Sequence, residues 1–291
     1  MHNFGIYFHL GGVFMRQFLS VKNDFVFKKL FGEPGSEDVL ISFLKYVLDE
    51  DIDSLEILKG LNLEKRLIND KQCFVDVRAN LADGSRLNIE IQLKNEYNLN
   101  KRTFYYLSKL YIEGFEKGQD YKSLNKAVTI NICDYNVFGI EACHYRFRLK
   151  EERFDITDFL EVMEIHFLDL TKIKTDANEN IVLKEWLEFI KADDDEVIRM
   201  LSKKNKDILK ASKKLEELSS DEEIRLIAES RAKYLSDYNS NIAGAEAKGR
   251  FEEKMEIIKR MVSMNVSLKD ISKMVNLSVD EVKELIVKSD E

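Results

Sequence analysis

Two stretches of strict alternation constrain this chain more than any other feature: Phe74-Val75-Asp76-Val77-Arg78-Ala79-Asn80-Leu81 and Leu87-Asn88-Ile89-Glu90-Ile91-Gln92-Leu93-Lys94. Val75, Val77, Ala79 and Leu81 are the apolar set of the first, and Leu87, Ile89, Ile91 and Leu93 that of the second. Each stretch therefore reads as a strand with one buried face. The short link through Ala82-Asp83-Gly84 makes the pair a hairpin, and the loop length decides which residues face each other. A two-residue turn at Asp83-Gly84 pairs Val77 with Glu90, which buries a charge or exposes a valine. A three-residue loop, with Gly84 in the left-handed position of a bulge, pairs Val75 with Ile91, Val77 with Ile89 and Ala79 with Leu87. That register also sets Asp76 opposite Glu90.

Opposed side chains on one sheet face hold their Cβ atoms about 5 Å apart, and like charges at that separation oppose each other's ionisation. A cation between them is the expected remedy. Hard oxygen ligands favour magnesium, manganese or calcium over zinc, and magnesium commonly takes one or two carboxylates plus waters and substrate phosphates. Gln92 and Lys94 fall on Glu90's face by alternation, so the strand offers a carboxylate, an amide and an ammonium in a row. Such a set suits phosphodiester hydrolysis, in which a metal activates water and polar groups orient it and neutralise developing charge. Taken singly, an outward Asp or Glu is ordinary solvent decoration; the opposition is what carries information. Asp24 reads either as a helix N-cap or as an additional site residue.

A chain of 291 residues, 44% of them hydrophobic, is long enough for two domains with real cores, and reads as a soluble protein. Its formal charge of −8 argues against indiscriminate binding to nucleic acid, so a nucleic-acid enzyme of this composition needs its positive charge gathered locally. Cys73, Cys133 and Cys143 lack CxxC spacing and the four histidines are scattered, which points away from a zinc site or a disulfide framework and fits a reducing cytoplasm. The apolar opening from Phe4 to Phe14 is too short to span a bilayer, so no membrane association is expected. Residues 1–14 read either as part of the protein or as an upstream extension before Met15.

Helices are expected across 20–48, broken at Gly32-Glu33-Pro34-Gly35, then strands near Leu55–Leu58 and in the hairpin, and an amphipathic helix over 100–117 ended by Gly118. Further strands are expected at Ala127–Cys133, Tyr145–Leu149 and Val162–Leu168, giving a mixed α/β sheet flanked by helices. On the helix, Arg102, Tyr105, Tyr106 and Lys109 share one reachable face; Arg102 is a candidate substrate contact and Tyr106 a packing residue. His144 and His166, in apolar strands, read as structural. Helices near 179–191, 195–217 and 221–238 follow, the last opened by a capping box at Ser220-Asp221-Glu222-Glu223. Asn239–Gly249 reads as a flexible link before three short helices over 251–264, 267–274 and 278–288, two of them capped by Ser267 and Ser278 with Asn276 at the turn between. The domain reading is an N-terminal extension at 1–17, an α/β domain at 18–175, a helical region at 176–240 and a three-helix unit at 241–291. That last unit has helix-turn-helix punctuation, but its final helix is more acidic than basic, which favours assembly or packing over DNA reading.

With these residues in place, the chain resembles the PD-(D/E)XK nuclease superfamily, and specifically the Rpn group of recombination-promoting nucleases, also labelled PD-(D/E)XK family transposases. The resemblance rests on Asn23 to Gly32, Val75-Asp76-Val77-Arg78-Ala79, the Asp83-Gly84 turn, Asn88-Ile89-Glu90-Ile91-Gln92, Arg102-Thr103-Phe104-Tyr105-Tyr106 and Gly118-Gln119-Asp120-Tyr121. It implies a restriction-endonuclease-like fold, with Asp76, Glu90 and the Ile91 carbonyl as metal ligands and Gln92 where the wider superfamily has its lysine. An amide supplies neither that lysine's charge nor its proton, so Lys94 or Arg102 is left to provide the cation, and Asp24 matches the family's first-helix acid. The implied activity is a Mg²⁺-dependent endonuclease, with Mn²⁺ as the alternative ion, cutting double-stranded DNA in recombination or transposition. Self-association would run through the helical C-terminal region. The competing readings are a catalytically degenerate nuclease fold that binds DNA or protein, and a regulator that binds DNA through its terminal helices.

Overall fold

In the computed structural model the described residues are 18–58, 77–94, 98–154 and 161–288. They fall into two compact units divided after Glu229. The first is built on a six-stranded mixed sheet. β1 (Leu55–Ile57), β2 (Val77–Leu81) and β3 (Arg86–Gln92) form an antiparallel meander; β4 (Ala127–Cys133) and β6 (Met163–Asp169) continue it in parallel; β5 (His144–Arg148) closes the edge antiparallel to β6, in the order β1-β2-β3-β4-β6-β5.

The hairpin adopts the three-residue loop. Val77 pairs with Ile89 and Ala79 with Leu87, Leu81 N–H donates to the Ser85 carbonyl at 2.8 Å, and Gly84 takes φ +87°. The Asp83 carboxylate accepts from the Ser85 N–H and hydroxyl, both at 2.8 Å, which stiffens the turn. Val75 and Asp76, and with them the expected pairings to Ile91 and Glu90, lie outside the described residues, as do the proposed extension and Cys73.

Alternation divides the sheet into two faces. One carries Val77, Ala79, Leu87, Ile89, Val128, Ile130 and Ile132, and packs with α1 (Asp24–Phe31), α2 (Glu37–Leu48), α4 (Ile181–Lys191), α5 (Asp195–Lys204) and α6 (Lys206–Ser220) into the main core. Trp186 sits fully buried at its centre, with ring centroids 5.8 Å from Phe43 and 6.1 Å from Phe31. The other face is covered by α3 (Leu99–Ile112), whose Leu107 and Leu110 join Ala127, Ile165 and Phe167 in a smaller core.

Several boundaries differ from the sequence reading. α3 stops at Ile112, before Glu113 and a positive-φ Gly114, rather than running to Gly118. The helix expected over 195–217 is two, because Asn205 in an extended conformation ends α5 and caps α6 through its side chain. α7 (Glu222–Ser263) is capped by Asp221, whose carboxylate accepts from the Ile224 N–H at 3.0 Å, while the Ser220 hydroxyl turns back to Glu216. The link expected at 239–249 is helical. Each glycine there costs a helix about 1 kcal/mol, which Ala243, Ala245 and Ala247 and the i,i+4 pairs Lys248–Glu252 and Arg250–Glu246 offset.

The second unit ends in α8 (Leu268–Val275) and α9 (Val279–Lys288), which pack with the end of α7 around Ile258, Ile271, Val275 and Val282. Ser267 caps α8, Ser278 and Glu281 form a reciprocal box at α9, and Asn276 turns between them at φ +52°.

Candidate metal and nucleic-acid site

α3 lies over β3 in a way that sets the site. At its C-terminal end, Arg86 of β3 donates to the carbonyls of Leu110 and Glu113, and Arg78 of β2 pairs with the Glu113 carboxylate. Cations at helix carbonyls are favoured by the helix dipole. The N-terminal half of the helix, with Arg102 and Thr103, then falls over the C-terminal half of β3, where Glu90 and Gln92 project.

Glu90 is 3% exposed. Its Oε2 accepts from the Gln92 side-chain amide at 3.2 Å and faces the Arg102 guanidinium at 3.6 Å. Gln92 in turn accepts from the Tyr135 hydroxyl at 3.4 Å. Beside Glu90 in the ladder stands Asn131 of β4, which accepts from the Thr103 hydroxyl at 3.3 Å and donates to the His166 carbonyl at 3.3 Å. Two residues back, Asn88 is 2% exposed, and neither of its amide atoms has a hydrogen-bond partner among the described residues. Burial of polar groups without hydrogen-bond partners is costly, so this row marks where the face is built for something other than core.

Thr103, Asn131 and Tyr135 were missed as site residues. A signal for Asn131 was present: Thr129 and Asn131 stand two apart in an otherwise apolar strand, which places both on one face.

The other expected residues are placed as follows. Ile91, whose carbonyl is the third candidate ligand, is half-buried on β3 and points its side chain to the main core. Lys94 lies two residues past the end of β3, in an exposed bend. Asp24 is in the first turn of α1, where Asn23 rather than Asp24 is the N-cap; Asp24 accepts from the Phe25 N–H at 2.9 Å. The segment before α1 reaches the same end of the sheet, since Lys22 contacts Asp134 at 3.2 Å and the Asp134 N–H donates to the Gln92 carbonyl at 3.0 Å. Burial pulls the Lys22 pKa down, but Asp193 and Asp134 outweigh it and hold it above the usual lysine value.

No group of three His, Cys, Asp or Glu among the described residues is placed to hold a metal ion. Glu90 and the Gln92 amide supply oxygen donors only, a set that fits magnesium or manganese and not zinc. Asp76 immediately precedes Val77 in the sequence and lies outside the described residues.

The opposite face holds a second polar cluster. Glu164 meets Arg146, Arg148 at 3.3 Å, Lys126 at 3.0 Å and His166 at 3.0 Å. His166 faces His144 at 2.8 Å between ring nitrogens, and His144 faces Glu179 at 3.2 Å. Cys133 and Cys143 are free and buried, and burial pushes both thiols up to about 12, so neither is a nucleophile at neutral pH.

The model of the PD-(D/E)XK nuclease family transposases matches residues 21–245, and the chain belongs to that family. Membership points to a nuclease or transposase-related function, with nucleic acid as the substrate. No curated protein and no solved structure matches the chain. No helix among the described residues is long and apolar enough to cross a membrane.

Proposed function

We propose that this protein is a Mg²⁺-dependent endonuclease, with Mn²⁺ as the alternative ion, that hydrolyses phosphodiester bonds of double-stranded DNA during recombination or transposition in the cytoplasm. The observation that carries this reading is Glu90: a carboxylate only 3% exposed, 3.2 Å from an amide and 3.6 Å from a guanidinium, inside a chain whose nuclease family match spans 21–245.

In this reading Asp76, Glu90 and the Ile91 carbonyl hold the ion, and Asp24 supports it through water. The ion supplies an activated water and neutralises phosphate charge. Gln92, held by Tyr135, orients the attacking water through its amide. Arg102 now faces Glu90; with that carboxylate engaged, its guanidinium is available to the scissile phosphate, a geometry arginine matches bidentately. Lys94, exposed at the strand's end, is the group able to give the leaving oxygen its proton.

Nicking of supercoiled plasmid DNA tests the proposal. Wild type is expected to nick with Mg²⁺, and Asp76→Ala and Glu90→Gln to lose about 10³-fold or more of that rate. Absence of Mg²⁺-stimulated nicking, or its survival in both variants, overturns the reading.

A further inference from the structure

Among the described residues, the face of α3 turned away from the sheet adds no buried side chain to the core. Thr103, Leu107 and Leu110 are the buried stripe of the helix, whereas Phe104 and Tyr105 are 56% and 50% exposed. Exposed aromatics side by side are unusual on a helix whose core contacts are already made. With Asn100, Lys101 and Ser108 they line a shallow, open groove. Lys109 holds its ammonium 4.6 Å from the Tyr105 ring centroid.

Charge singles out the same surface. The chain carries 53 acidic residues against 45 basic ones, yet Leu99–Ile112 has Lys101, Arg102 and Lys109 and no acid. This is the local gathering of positive charge that an acidic nuclease requires. One flank of the same helix carries Arg102 to within 3.6 Å of Glu90, so the outer face and the candidate site share one helix.

We infer that the outer face of α3 is a stacking platform for an unpaired nucleotide, Phe104 and Tyr105 taking a base and Lys101 and Lys109 the flanking phosphates. The inference rests on the nuclease reading for its catalytic consequence: within double-stranded DNA it directs cutting to gapped or flapped stretches, where a base is unpaired. A paired base has both its faces covered within the stack; an unpaired one offers its π-face to an aromatic ring, whatever its identity.

Fluorescence anisotropy of the full chain in EDTA, where nothing is cleaved, tests this with an oligothymidine carrying one 2-aminopurine and with a blunt duplex of equal length. The single strand is expected to bind at least about tenfold more tightly than the duplex, with 2-aminopurine emission quenched by stacking. Phe104→Ala/Tyr105→Ala is expected to weaken single-strand binding about tenfold or more, abolish the quench and leave duplex binding unchanged. Both side chains are exposed, so the variant should fold. Lys101→Ala and Lys109→Ala should each lower the salt slope by about 0.7. Equal affinity for strand and duplex, or wild-type single-strand binding by the double aromatic variant, overturns the inference. If neither plasmid nor a gapped duplex is cut with Mg²⁺ while this binding pattern holds, the nuclease reading falls and the platform stands.

Discussion

Two carboxylates are buried in one sheet from opposite sides, and their surroundings differ in kind. Glu164 is gripped by three cations and a histidine: Lys126 just before β4, Arg146 and Arg148 of β5, and His166 of β6. Burial raises its pKa, but the hydrogen bonds from His166, Arg146 and Lys126 prevail and hold it well below the carboxylate range. Glu90, as deeply buried, looks along its own strand to an amide and across to a guanidinium at 3.6 Å, longer than a hydrogen bond. Glu164 ties the edge strand β5 to its neighbours, whereas Glu90 lies at the end of β3 that the helix N-terminus overhangs. A carboxylate on which several cations converge is a fastener; Glu90 stands instead beside an amide, a guanidinium and the polar Asn131 of the neighbouring strand.

The contrast breaks most directly on stability. Glu164→Gln is expected to cost about 3 kcal/mol, because it leaves Arg146, Arg148 and Lys126 without the charge they converge on. Glu90→Gln leaves only Arg102 without its carboxylate, at 3.6 Å and with that guanidinium partly exposed, and should cost less, about 1–2 kcal/mol. Urea unfolding of the two variants at pH 7 decides: equal losses would place both carboxylates in the same structural class.

The next effect is a pH dependence on the Glu164 side. Burial holds His166 neutral down to about 4, against an ordinary value of 6.5, the hydrogen bond to Glu164 only partly opposing it. Between those values the unfolded chain takes up a proton that the folded chain refuses, so stability falls as pH drops from 6.5 to 4, by about 2–3 kcal/mol. Glu164 adds to the loss at lower pH, since its depressed pKa contributes stability above about 4.3 that disappears on acidification. Denaturation midpoints at pH 7, 5.5 and 4.5 should show the decline, and His166→Gln should flatten it between 6.5 and 4. A decline unchanged in that variant would move the titration elsewhere.

The two faces also differ in how far they could be read from the chain. The main core was legible because alternation and helical spacing report apolar faces directly: Val77, Ala79, Leu87 and Ile89 are buried where the pattern put them. Polar residues carry no such period, so Asn131, Thr103 and Tyr135 became visible only once β4 and α3 had been brought beside β3. Glu164 and His166 sit in a strand that reads as apolar, and their partners Lys126, His144, Arg146 and Arg148 come from outside that strand, which no local pattern connects. Helix ends failed for a related reason. Asn205 both ends and begins a helix, and α3 ends at Ile112 with Glu113 extended, although Gly114 and Gly118 both take the positive φ of a turn.

The smallest effect concerns the loop that assigns every residue to its face. Gly84 has φ +87°, and a Cβ there would meet the Asn125 side chain at 3.3 Å. Gly84→Ala is expected to cost about 1–2 kcal/mol, the penalty of a left-handed backbone for an L-residue. Gly84→Asn introduces the same Cβ but tolerates that backbone better, and should cost less. Equal losses for the two would shift the cause from φ to the contact with Asn125, whose flexible amide can give by a few tenths of an ångström. Neither variant should alter nicking below its unfolding temperature if the register Val77–Ile89 holds. A slip of one residue would turn Glu90 into the main core and Ile89 toward α3, so loss of activity without loss of fold would mean that this single glycine, and not the packing of the two faces, keeps the carboxylate on the side of the sheet where Arg102 waits.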